Sequence, residues 1–105
     1  MAWISSGRIT NPAVDAVLLD TGPVVSGTRS PQVMLSSTVA AGFELQWRDA
    51  ANLATLKSQM ISCTALDTKD SKIWSDIEMA NNERLRVLAV GVIVGTISVS
   101  MFYQP

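Results

Sequence analysis

Histidine, the side chain that most often moves protons and ligates transition metals near neutral pH, is absent from all 105 residues of this chain. The groups left for chemistry are one cysteine, many hydroxyls, a few closely spaced carboxylates and three tryptophans. Cys63 is single, so no internal disulfide forms, and its place in Met60-Ile-Ser-Cys63 predicts a buried, inert thiol rather than a nucleophile. The serines have no activating base: neither Ser-x-x-Lys nor Gly-x-Ser-x-Gly occurs, which makes them turn and solvent-face residues. Asp67 with Asp70, and Asp76 with Glu78, offer carboxylates at short spacing. A hard cation wants six or more oxygens, and the loop lacks both the full ligand series and the glycine of a calcium loop. No Gly-x-Gly-x-x-Gly and no P-loop is present to cradle a phosphate. The chain therefore shows no catalytic, metal or cofactor-binding residues, and the expectation is that it is not an enzyme.

The tryptophans remain, and what they do depends on the elements that carry them. Gly42-Phe-Glu-Leu-Gln-Trp-Arg48 alternates, placing Phe43, Leu45 and Trp47 on one face and Glu44, Gln46 and Arg48 on the other. This is a half-buried antiparallel strand, with Trp47 in the core. The same period-two reading predicts strands over Trp3–Ile9, Ala16–Asp20, Gln32–Val39, Ser58–Ala65 and Lys72–Met79, separated by turn chemistry such as Asn11-Pro12, Thr21-Gly22-Pro23 and Asn81-Asn82. In the Lys72–Met79 strand, Trp74 shares a face with Asp76 and Glu78 and is expected to point outward. Asp67-Thr-Lys-Asp-Ser71 reads as an exposed loop. A helical stripe, Leu53, Leu56 and Met60, competes over residues 49–60, but it is short, and Asp49–Asn52 is read as a turn with at most one helical turn after it.

The end of the chain decides the class. No residue from Val87 to Pro105 is charged, and the stretch is rich in β-branched Val, Ile and Thr. Nineteen mostly apolar residues nearly span a bilayer, and Gly91 and Gly95 have the spacing of close-packed transmembrane helices. Against that tail-anchored reading, Thr96–Tyr103 alternates, with Ile97, Val99, Met101 and Tyr103 on one face and Thr96, Ser98, Ser100 and Phe102 on the other. The pleated reading is preferred, and it predicts an all-β fold: a single antiparallel β-sandwich domain over residues 1–105.

Composition points to self-association. Apolar residues make up 48% and charged residues only 16% of the chain, against roughly 25% charged in an average domain. Surplus apolar surface finds its outlet in a subunit interface, for which Trp3, Trp74 and Phe102 are the candidates, with residues 1–12 as an N-terminal arm docking on a neighbouring subunit. The net charge is −1 and the basic residues are scattered along the sequence, which argues against nucleic acid as a partner. Met1–Arg8 lacks the cationic start and apolar middle of a secretory signal, so the chain is expected to be mature as written.

Leu45-Gln-Trp-Arg-Asp-Ala-Ala-Asn52, Asn82-Glu-Arg-Leu-Arg86 and Gly95-Thr-Ile-Ser-Val-Ser100 together resemble small jelly-roll virion proteins of tailed phages, of the head-decoration or fibre-base type. The likeness covers about two thirds of the chain through generic β-sandwich features. It implies a homotrimeric, non-enzymatic subunit of the virion, assembled in the host cytoplasm and attached to other capsid or tail proteins, and it carries over no functional residue. A carbohydrate- or receptor-binding module, with exposed tryptophan as its platform, is the alternative.

Overall fold

The computed structural model describes residues 2–72, 74 and 78–105. These residues form eight strands, several of them marked by alternating apolar and polar side chains: β1 (Ala2–Thr10), β2 (Val17–Asp20), β3 (Arg29–Ser37), β4 (Ala41–Arg48), β5 (Thr55–Cys63), β6 (Asp67–Lys72), β7 (Arg84–Val90) and β8 (Thr96–Gln104). They form two four-stranded sheets in the orders β1-β8-β3-β6 and β2-β7-β4-β5, with every pairing antiparallel. β1 pairs with β8, β2 with β7, β3 with β6 and β4 with β5, as in one long hairpin. Winding that hairpin sends successive strands to opposite sheets, except across the β4–β5 turn. This is the jelly-roll arrangement of a β-sandwich.

The inward row of each strand closes the core. Phe43 and Leu45 of β4, Leu85, Val87 and Ala89 of β7, Val33 and Leu35 of β3, and Ile97, Val99 and Met101 of β8 are all buried. Each large side chain so placed contributes about 1.5–3 kcal/mol relative to exposure. The uncharged end of the chain is thus pleated, residues 87–90 in β7 of one sheet and residues 96–104 in β8 of the other. No helix among the described residues is long and apolar enough to cross a membrane.

Two sequence expectations change. Residues 67–71, expected as a loop, belong to β6, paired in register with β3 from Gln32–Lys72 to Ser37–Asp67. Its polar composition fits an edge strand, where charged side chains blunt an open row of backbone groups. Residues 1–12 were expected as an arm docking on a neighbouring subunit, around a strand over Trp3–Ile9. Residues 2–10 instead form β1, bonded to β8 of the same chain. The expected strand over 72–79 falls largely outside the described residues; Trp74 lies in a bend, and Glu78 makes an isolated bridge with Arg29. The helical stripe does not form, because Leu56 and Met60 lie exposed on β5, the outer strand of its sheet.

Candidate functional site

The outer face of the β1-β8-β3-β6 sheet carries two of the three aromatic residues expected at an interface. Trp3 and Phe102 are direct cross-strand partners, and their rings stack with centroids 6.0 Å apart at 23°. Trp3 is 61% exposed. An aromatic pair on adjacent strands stabilises the sheet by roughly 0.2–1 kcal/mol, yet most of the indole still faces water. The next row along the same face is Ser5, Ser100 and Met34, in register, and the Ser100 hydroxyl donates to Ser5 Oγ at 3.3 Å.

Beyond that row, β1 changes phase. Ser5 pairs with Ser100 and Arg8 with Ser98, so β1 spends one more residue than β8 between these pairs. Gly7 sits in the bulge at φ 67°, a left-handed conformation that suits glycine. The Ser6 hydroxyl fills the broken ladder by accepting from the Val99 backbone N–H at 3.0 Å. As a result Trp3 and Ser5 face out before the bulge, and Arg8 and Thr10 face out after it. Without the extra residue Arg8 would point into the core.

Arg8 thereby heads a row across all four strands: Arg8, Ser98, Ser36 and Thr68. A groove of about 640 Å³ lies over it, lined also by Thr38, Thr96, Leu66 and Asp67. Its floor is rigid: Thr10 and Thr96 share a hydrogen bond at 3.1 Å, and Thr38 Oγ1 accepts from the Thr96 N–H at 3.0 Å. Asp67 Oδ1 accepts from the Thr68 N–H and Oδ2 from the Thr64 hydroxyl. These bonds, the Thr68 N–H first, hold its carboxyl below the usual aspartate value.

Trp74 does not join this face. Its ring lies 6.4 Å from that of Trp47, with Lys57 Nζ 5.7 Å from its centroid, and it packs half-buried against the core beside Pro31, Met79 and Leu85. Trp47 in turn donates its Nε1–H to Glu83 at 3.1 Å. Trp74 fills the space between residues of the two sheets, where the sequence predicted an outward-facing interface residue. Its backbone φ of 55° breaks the strand parity on which that prediction stood.

The fold also gathers cations that look scattered in sequence. Arg48 opposes Arg84 on the outer face of the second sheet, and Arg86 is one row away. Arg86 Nε donates to Gln46 Oε1 and Gln46 Nε2 to Glu44 Oε2, both at 2.7 Å, while Arg84 reaches Asp20 at 3.4 Å. Burial, then the neighbouring Arg48, lowers the Arg86 pKa from its ordinary value. Arg48 is committed to the β4–β5 loop through Asn52 and Thr55. The Arg84 Nε is buried without a partner among the described residues.

Cys63 is buried, and its thiol contacts the Asp67 carbonyl oxygen at 3.4 Å. Among the described residues, no group of three or more His, Cys, Asp or Glu side chains comes together. No protein-family model matches the chain, and no curated protein matches it.

Proposed function

We propose that the chain is a non-catalytic structural subunit that self-associates as a homotrimer to build or decorate a virion, with the Trp3–Phe102 stack as its central contact. The observation that carries this reading is the stack itself: a mostly exposed indole, already ordered by a ring beside it, on the outer face of a sheet. Pre-ordering matters because an anchor whose rotamer is fixed loses less entropy on binding. A stable contact needs about 800 Å² per partner, so it must extend from the stack over the Ser5–Ser100–Met34 row. The jelly-roll fold is found in capsid proteins but also in lectins, and so does not choose between them.

Size-exclusion chromatography with light scattering at micromolar concentration tests the association. A trimer that falls to monomer in the double variant W3S/F102S, with an unchanged circular dichroism spectrum, is the expected result. A monomeric wild-type chain overturns the reading. Electron micrographs of the native assembly test its virion part: subunits arrayed on capsid or tail are expected, and their absence there removes that part alone.

A further inference from the structure

We infer that the groove headed by Arg8 binds a saccharide carrying one anionic group. This stands apart from the self-association reading, since the groove and the aromatic stack occupy opposite ends of the same face. From Phe102 to Ser98 is four strand residues, about 13 Å.

Three observations point to a ligand. The first is the bulge at Gly7, whose effect is to turn Arg8 from the core side to the groove side; bulges near functional sites re-aim side chains in this way. Arg8 has no ion-pair or hydrogen-bond partner among the described residues. The second is the row Ser98, Ser36 and Thr68, whose hydroxyls are likewise unpartnered among the described residues while neighbouring serines and threonines bond to one another or to backbone. The third is the groove's volume, within the range of small-molecule sites.

The chemistry of the lining selects the ligand. A hydroxyl both donates and accepts, so a row of them matches a partner that does the same on several adjacent atoms. Sugar rings do this. Arg8 supplies one cation, which pairs with one carboxylate or sulfate. Asp67 adds an ionised acceptor for a sugar hydroxyl, and the exposed Leu66 offers an apolar wall for a ring face. Across four strands the row measures about 14 Å, three inter-strand spacings, which is long for an inorganic anion alone. A nucleic-acid strand would call for more than one cation along its path.

Chemical-shift titration of the ¹⁵N-labelled protein with glucuronate, glucose and inorganic sulfate reads this out. Glucuronate is expected to give saturable shifts at Arg8, Ser36, Thr68 and Ser98 in the millimolar range, and glucose to bind about tenfold more weakly, as loss of a charge-assisted bond implies. Arg8→Gln should bring glucuronate down to the glucose level, Ser98→Val should weaken both sugars, and Trp3→Ser should change neither. All three positions face solvent, and the same spectra report whether each variant is folded. The inference is overturned if glucuronate gives no saturable shifts, if sulfate binds as tightly as glucuronate, or if Arg8→Gln leaves the glucuronate affinity unchanged.

Discussion

Cys63 illustrates how burial removes a reactive group from the chemistry of the chain. Desolvation, followed by the nearby Asp67 charge, raises its pKa above the ordinary value of 9.0. The folded state therefore holds the proton more tightly than the unfolded state. Stability from this difference is fully present below pH 9.0 and is lost as pH rises through the folded pKa. Urea midpoints measured from pH 8 upward should fall more steeply for the wild type than for Cys63→Ala; parallel profiles would refute the assignment. A thiol reagent should label Cys63 slowly in the native protein and fully after unfolding. Gly95 makes a steric case at the same scale. A Cβ there would lie 2.8 Å from Thr38 Oγ1 and 2.9 Å from Val39 Cγ2. Its backbone is also clasped to Asn11, whose N–H donates to the Gly95 carbonyl while Gly95 N–H donates to Asn11 Oδ1. Gly95→Ala should therefore cost about 1–3 kcal/mol by overpacking. Val92→Ala, in the same loop but 79% exposed, should stay within about 0.5 kcal/mol. Equal effects in urea denaturation would show that the contact is soft.

The β4–β5 hairpin shows what a short loop must supply to join two strands within one sheet. Asp49 Oδ1 accepts from the Leu53 N–H at 2.8 Å and the Ala54 N–H at 3.3 Å, and Asn52 adopts a φ of 56°. Arg48 closes the loop through the Asn52 side chain and carbonyl. The Leu53 N–H is the largest cause lowering the Asp49 pKa below 3.8. A depressed carboxylate stabilises above its unfolded pKa and loses that contribution as pH falls through the folded value. Asp49→Asn should accordingly lower stability at pH 6 and shrink the gap to wild type near pH 2; a gap independent of pH would show that the carboxylate charge is irrelevant. Asp49 and Asn52 were legible as a turn because both residue types bond backbone locally and tolerate left-handed conformations. Strands β4 and β8 were legible from clean alternation. β6 was not, because an edge strand held mainly by pairing with β3 needs no apolar period. Trp74 was misplaced because its face was inferred from a parity that a bend interrupts. The bulge did leave a signal, a glycine inside the β1 pattern, but the groove it serves is assembled from residues about 30 to 90 positions apart, and no local pattern records that.

At the scale of the whole molecule, the winding of the hairpin sets how the chain can fold. β1 finds β8 only when the two ends of the polypeptide meet, and β3 finds β8 across about 65 residues. The single local pairing among the described strands is β4 with β5. Loop-closure entropy must be met before any distant pairing returns energy, so the barrier is high for a domain of this length. The β4–β5 hairpin is the cheapest place to begin, with β7 adding next to β4 and the β1-β8-β3-β6 sheet closing over it. Trp47 reports the second sheet directly, since its indole donates to Glu83 and lies beside Trp74. Stopped-flow refolding followed by tryptophan fluorescence in W3F, which removes the exposed indole's signal, should give relaxation times between about a millisecond and a second. Leu45→Ala, at a fully buried position of β4, should destabilise by about 2–5 kcal/mol and slow refolding markedly. Val99→Ala, on β8 of the late-closing sheet, should act mainly by speeding unfolding. The reverse partition, with β8 substitutions slowing folding and β4 substitutions sparing it, would place the nucleus at the closure of the chain ends and refute a hairpin-first order of assembly.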